Sequence, residues 1–309
     1  MKKYLASIIT IIILSGLYFY MNPNPQKVIE NHLKNKYKEE FIVEVLGKRE
    51  KTYEAIIYPK KYVGTSREND SYYWGKGFAK GRKGGDTYGL VLLNESTNEF
   101  FLPKLKELFG ENVLPVLDMG PSYVKNNFKE EMKALKKAYK LYPTASFEPI
   151  SGGIYIFGRV ESNEDREWYR KQIYEFVQFM KETGTFEYTA IAFNVLDERV
   201  LSKEFQENTK LQQELVDMGN KLVETNHSLY RQRKREMMSQ LPKNLTPYIK
   251  MEDINKKDII NTVSWSYYNN LLSLPLYSEK YIRANGLEDT RRISKYEKVE
   301  DVFFTYEDY

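Results

Sequence analysis

SNEDREWYRKQIYEFVQFMKETG, residues 162–184, is the stretch that decides the fold. Ser162 and Asp165 stand three apart, as in a capping box, where each side chain satisfies the other's backbone N–H at a helix start. Behind them Tyr169, Ile173, Phe176, Val177 and Met180 recur at the spacing of one helix face. Gly184 stands where a left-handed C-cap is favoured. IYIFGRV (154–160) precedes the helix and FEYTAIAFNV (186–195) follows it. Both are strand-like, and Ala190 and Ala192 leave room for close packing. Strand, helix, strand predicts an α/β unit, which spans residues 122–201 and opens with a helix marked by Met132, Leu135, Ala138 and Tyr139.

Upstream, residues 22–121 form a first α/β unit. Asn24 supplies a helix cap and Pro25 a first helical residue. Ile29, Leu33 and Tyr37 then share one face. Strands are predicted at 41–46 and 53–58, with further candidates at 72–74 and 88–93 on either side of a glycine- and lysine-rich loop. A helix over 100–109 stops at Gly110. VLPVL (113–117) is a strand that Pro115 confines to a sheet edge. Leu33 and Tyr37 echo Leu135 and Tyr139, a pattern that duplication and shared lysine-rich helix composition both produce.

Downstream, residues 202–241 predict one long helix. Leu211, Leu215, Met218, Leu222, Thr225 and Leu229 recur in a coiled-coil-like seam, with Pro242 as the stop. Unbroken, it reaches roughly 58 Å. Leu211, Leu215, Met218 and Leu222 are the helix-pairing candidates. Residues 242–309 read as an appended, aromatic-rich C-terminal region. The fold class is α+β.

Residues 1–21 carry a membrane signal. Lys2 and Lys3 precede an uncharged run from Tyr4 to Met21, centred on IITIIIL (8–14). At about 1.5 Å per residue the run reaches roughly 27 Å, just short of a hydrocarbon core of about 30 Å. A cleaved signal peptide shares this charged start and apolar middle. Cleavage wants small residues before the cut, however, and the run ends in LYFY (17–20), which suits a membrane–water boundary. The expectation is a transmembrane helix through the cytoplasmic membrane at residues 4–21. The two lysines face the cytoplasm and the bulk lies outside. Secretion after cleavage near Ser15 and Gly16 is the alternative.

LKNKYKEEFIVE (33–44), together with this leader, resembles the start of uncharacterised membrane-anchored exported proteins of Gram-positive bacteria. Those place a short helix ending in a Lys-Tyr-x-Glu-Glu-Phe-like step straight after their membrane signal. The resemblance implies export and no activity.

Composition narrows the chemistry. No cysteine is present, which excludes disulfides, thiolate metal sites and thiol catalysis. A net charge of +4, part of it in Lys2 and Lys3, is no nucleic-acid footprint. With 41% hydrophobic residues and 26 tyrosines, the fold has material for a substantial core.

Candidate sites are sparse. GKGFAKGRKGGD (75–86) exposes backbone N–H groups beside Lys76, Lys80, Arg82 and Lys83, which suits a phosphate or carboxylate. It lacks the ending of a P-loop, and a solvated hairpin loop is the plainer reading. Ser122 and Lys125 match a Ser-x-x-Lys element, without the other motifs of penicillin-recognising enzymes. Asp118 ends a strand, where both turn-capping and catalytic carboxylates are found. His32 and His227 flank apolar helix stripes with no second ligand at i+4. Arg231, Arg233, Lys234 and Arg235 suit a helix C-terminus, with contact to anionic lipid or polymer as the functional alternative. Val263, Trp265 and Tyr267 alternate with serines, as in a strand over a core.

No catalytic set, metal-ligand set or cofactor motif emerges. The expected function is a non-enzymatic, membrane-tethered envelope protein that binds a partner protein or peptide outside the cytoplasmic membrane. The alternatives are an envelope hydrolase using carboxylate chemistry at Asp118, and a binding module for anionic wall polymer at the glycine-rich loop.

Overall fold

Asn24 caps the first described helix as expected: its side-chain oxygen accepts hydrogen bonds from the backbone of Gln26 and Lys27, starting helix α1 (Pro25–Tyr37). The computed structural model describes residues 23–120, 126–141, 150–222, 226–242, 248–261, 270–288 and 295–305. The expected membrane span at residues 4–21 lies outside them. Among the described residues no helix is long and apolar enough to cross a membrane. The architecture is α+β, with two four-stranded sheets and nine helices among those residues. It divides into two units between Leu92 and Leu93.

In the first unit, β1 (Phe41–Arg49), β2 (Thr52–Pro59), β3 (Gly75–Lys80) and β4 (Lys83–Asp86) form an antiparallel meander. Helix α1 lies on one face, where Ile29 and Leu33 meet Ala55, Ile57 and Ala79 in the core. Each fully buried aliphatic side chain of this kind contributes about 1.5–3 kcal/mol.

The stretch predicted as a loop at 75–86 is therefore a hairpin of two strands. Its glycines are needed because the helix comes close. A Cβ on Gly77 would sit 2.7 Å from Ile29 Cγ2, and one on Gly84 would sit 2.5 Å from His32 Cβ. Gly81, at φ +58°, makes the turn. Two neighbouring expectations also change. Residues 72–74 fall at a short 3-10 turn (Ser71–Tyr73) capped by the Asp70 side chain, and 88–93 open a helix.

That helix, α2 (Tyr88–Phe109), begins in the first unit and ends in the second. Asn94, Ser96, Thr97 and Asn98 favour caps and turns, which made its first half look non-helical. Within the helix, Thr97 Oγ1 donates to the Leu93 carbonyl at 2.8 Å, and Asn98 Nδ2 to that of Asn94 at 2.7 Å.

In the second unit, β5 (Val113–Met119), β6 (Ile150–Gly158), β7 (Thr189–Asp197) and β8 (Asn270–Tyr277) stand in that order. The central pair β6–β7 is parallel, and β5 and β8 join antiparallel. Helix α4 (Asn163–Glu182) links the parallel pair, carrying both bonds of the Ser162–Asp165 capping box. Tyr169, Ile173, Phe176, Val177 and Met180 are all buried. Helix α3 (Phe128–Leu141) adds Phe128, Met132 and Leu135 to the same core.

Three boundaries differ from expectation. Strand β5 pairs with β6, so it belongs to the second unit rather than the end of a first unit at residue 121. The C-terminal region is no appendage: Leu272, Leu274 and Leu276 of β8, with Val302 and Phe304, lie in the second core. The long helix at 202–241 is broken into α5 (Lys203–Glu207), α6 (Thr209–Leu222) and α7 (His227–Met238). Asparagine causes both breaks. Asn208 accepts from the Leu211 N–H and Asn226 from the Leu229 N–H, each at 3.0 Å, so each starts a new helix. The remaining helices are α8 (Lys256–Asn261) and α9 (Glu279–Ala284). The sheets also differ in topology, one a meander and one with a parallel pair, so the units do not repeat one another.

Candidate binding site

Strands β6 and β7 are parallel, so their carboxyl ends lie side by side. Strand β6 ends at Gly158 and β7 at Asp197, and a cavity of about 490 Å³ opens beside them. That volume lies within the range of about 300–1,000 Å³ typical of small-ligand sites. Its wall includes Arg159, Glu161, Asp197, Arg199, Lys234 and Arg235, together with the first turn of α4 at Ser162 and Asn163.

Arg159 and Arg199 have acidic partners in the same wall. Arg159 pairs with Glu161. Arg199 grips Asp197 bidentately, with Nε to Oδ1 at 2.9 Å and Nη2 to Oδ2 at 2.6 Å. It also donates Nη1 to the Met238 carbonyl at 2.8 Å, capping the end of α7. The Asp197–Arg199 pair thus fixes α7 to the end of β7.

Lys234 stands apart. It is only 5% exposed, and its Nζ donates to the Asn270 carbonyl at 2.9 Å. Burial drives its pKa down to about 7, against the pull of Asp197 and with the push of Arg199. A lysine poised there in a cavity wall becomes a full positive charge as soon as an anion stabilises it. The wall serines are occupied elsewhere: Ser162 Oγ accepts from Asp165 and Ser239 Oγ donates to Glu236. The chemistry offered includes charge pairing and hydrogen bonding.

Of the residues singled out from sequence, Lys234 and Arg235 line this cavity, and others fall elsewhere. Lys76 and Lys80 point to one exposed face of the first sheet, and Lys83 lies directly across from Lys80, with exposed Arg82 at the turn. Asp118 is half-buried, accepts from Asn94 Nδ2 at 2.6 Å, and has its carboxyl pKa pushed up by burial against the pull of Lys257 and Lys256. Those contacts join α2 to the strand end. Leu211 and Leu215 are buried within the chain, while Met218 and Leu222 are half-buried.

His32 meets Asp86 at 2.6 Å, beside Lys36 and the Tyr37 hydroxyl, and together they fasten α1 to β4. Ser122, Lys125, Val263, Trp265, Tyr267 and the His227 side chain lie outside the described residues.

The sequence reading missed the cavity because Lys234 sat in a basic run near a helix end. The signal was present: Tyr230, Lys234 and Met238 recur every four residues and are all buried. A lysine inside an apolar stripe marks a buried charge.

Comparisons add little. No protein-family model matches the chain, and no curated protein matches it. A solved structure of a DUF5037 family protein from Ruminococcus gnavus ATCC 29149 is similar to it at 18% identity, covering 60% of this chain and 79% of that one, with a TM-score of 0.32. A likeness of that degree carries no argument about fold or activity.

Proposed function

We propose that this is a non-enzymatic binding protein, tethered to the cytoplasmic membrane through residues 4–21, which holds a partner peptide outside the membrane by a carboxylate. The carboxylate enters the cavity beyond β6 and β7 and pairs with Lys234. The burial of that lysine in the wall of a ligand-sized cavity carries the reading. The tether rests on the apolar run of residues 4–21 alone.

Calorimetric titration with short peptides ending in a free carboxylate, and with the same peptides amidated, tests the pocket. Free-acid peptides bind, more weakly at pH 8.5 than at pH 6, and Lys234→Met removes the preference. Equal binding of the amidated set, or by the variant, ends the proposal. Cell fractionation tests the tether separately: intact chain, including its first residues, must sediment with membranes.

A further inference from the structure

At the other end of β7 an open cleft of about 1090 Å³ lies between α4, α3 and α9. Among the described residues its lining brings Lys136, Lys140, Lys181, Lys280 and Arg283 together with Glu187, and Arg283 also pairs with Glu279 of its own helix. Glu187 is already paired with Lys280. These cations come from three separate elements, so no one helix accounts for them. A lysine near a helix C-terminus is favourable by itself, which explains Lys136 beside the end of α4 at Gly184. It does not explain the convergence.

Aromatic rings hold the ammonium groups in place. Lys280 Nζ lies 5.3 Å from the Tyr139 ring centre and 5.5 Å from that of Tyr188. Lys181 Nζ lies 5.5 Å from that of Phe186, and it also donates to the Lys295 and Tyr296 carbonyls at 2.7 and 3.0 Å. Such contacts lower the entropy lost when a ligand arrives.

Among the described residues the lining contains no Ser, Thr, Asn, Gln or His, and its hydroxyls are those of Tyr139 and Tyr188. A peptide backbone needs donors and acceptors at regular intervals, and this wall offers mainly point charges. A chain whose charge repeats along its length needs nothing else. We propose that this cleft binds a linear polyanion bearing phosphate groups, independently of the pocket at the opposite end of β7.

Fluorescence anisotropy of the full chain with a labelled short-chain linear polyphosphate tests this, with orthophosphate, poly-glutamate and phosphatidylglycerol vesicles as comparison ligands. Polyphosphate binds and orthophosphate does not compete at equal phosphate concentration. If about four charges are engaged, with the counterion behaviour of a single-stranded nucleic acid, affinity falls about fifty-fold from 50 to 200 mM salt. Lys140→Ala alone and Lys136→Ala with Lys140→Ala lower affinity stepwise and flatten the salt slope. Lys51→Ala, at an exposed lysine of the first unit, leaves both unchanged. Equal or tighter binding of poly-glutamate or vesicles overturns the phosphate-polymer assignment. Unchanged affinity in the folded Lys140→Ala protein overturns the site.

Discussion

Asn98 and Leu117 exchange two hydrogen bonds: the Leu117 N–H donates to Asn98 Oδ1 at 2.9 Å, and Asn98 Nδ2 donates back to the Leu117 carbonyl at 3.1 Å. A side-chain amide on helix α2 thereby takes the place of a neighbouring strand along the free edge of β5. Asn94 repeats the arrangement by accepting from the Met119 N–H at 3.0 Å. Pro115, two residues before Leu117, has its nitrogen on this same outer side, so no ladder bond to β6 is lost. Asn98→Ala leaves a buried donor and acceptor without partners, at roughly 2–4 kcal/mol for the pair. Urea unfolding then shows a lower midpoint with an unchanged slope. A loss below about 0.5 kcal/mol would mean that water replaces the amide without penalty.

Gly84 and Gly85 make a paired test of helix–sheet contact. A Cβ on Gly84 meets His32 Cβ at 2.5 Å and the Val28 carbonyl oxygen at 3.1 Å, whereas one on Gly85 meets only Phe78 Cβ, at 4.0 Å. Gly84→Ala therefore forces α1 away from the sheet and destabilises by about 1–3 kcal/mol. Gly85→Ala stays close to wild type in the same thermal melt. Equal effects would contradict the close approach.

Asp86 sets a pH dependence at the acid end. Burial raises its pKa, but hydrogen bonds from Tyr37, Lys36 and His32 outweigh this and hold it below the usual carboxylate value. Between the folded value and the unfolded value of about 3.9, the unfolded chain binds more protons, so stability rises with pH. Asp86 thus contributes fully above about pH 3.9, and the contribution fades as pH falls through its folded value. Asp86→Asn flattens the stability profile in this acid window. An unchanged acid limb would show the cluster to be electrostatically idle.

Lys234 acts at the other end of the scale. Its pKa is lowered to about 7 by burial, while an unfolded lysine titrates near about 10.4. Between those values the unfolded state carries the extra proton, so stability in the absence of ligand rises with pH across that interval. Lys234→Met removes the rise and is neutral or stabilising at neutral pH. A wild-type profile flat from pH 7 to 10 would place the charge in water instead.

Lys80 and Lys83 face each other across the β3–β4 turn. Like charges directly opposite one another destabilise a hairpin, and opposite charges favour it. Lys83→Glu raises stability by roughly 0.2–1 kcal/mol at low salt. The gain shrinks as salt increases, because both residues are exposed. A gain indifferent to salt would point to propensity rather than charge.

Helix α4 was legible because its cap, apolar stripe and terminal glycine are all local and agree with one another. Strand β8 was not, although LLSLPLY alternates leucines. Pro275 and the aromatic surroundings obscured it, and its pairing partner β7 is remote in sequence. Glycine at 77 and 84 read as loop because the reason for it, a helix passing within van der Waals range, is tertiary. Asn94 and Asn98 fell between a strand candidate at 88–93 and a helix at 100–109, because the strand edge they serve is remote in sequence. The cavity needed Lys234 to be placed on a face rather than counted in a basic run.

Strand β7 is synthesised well before β8, with α5 to α8 encoded between them. Until the ribosome has released Tyr277, a nascent polypeptide presents the hydrogen-bonding side of β7, with Ile191, Phe193 and Val195 alongside, to any other strand within reach. Translation that stalls in this interval leaves a sticky intermediate, and a chaperone escorting the chain has most to shield during that delay.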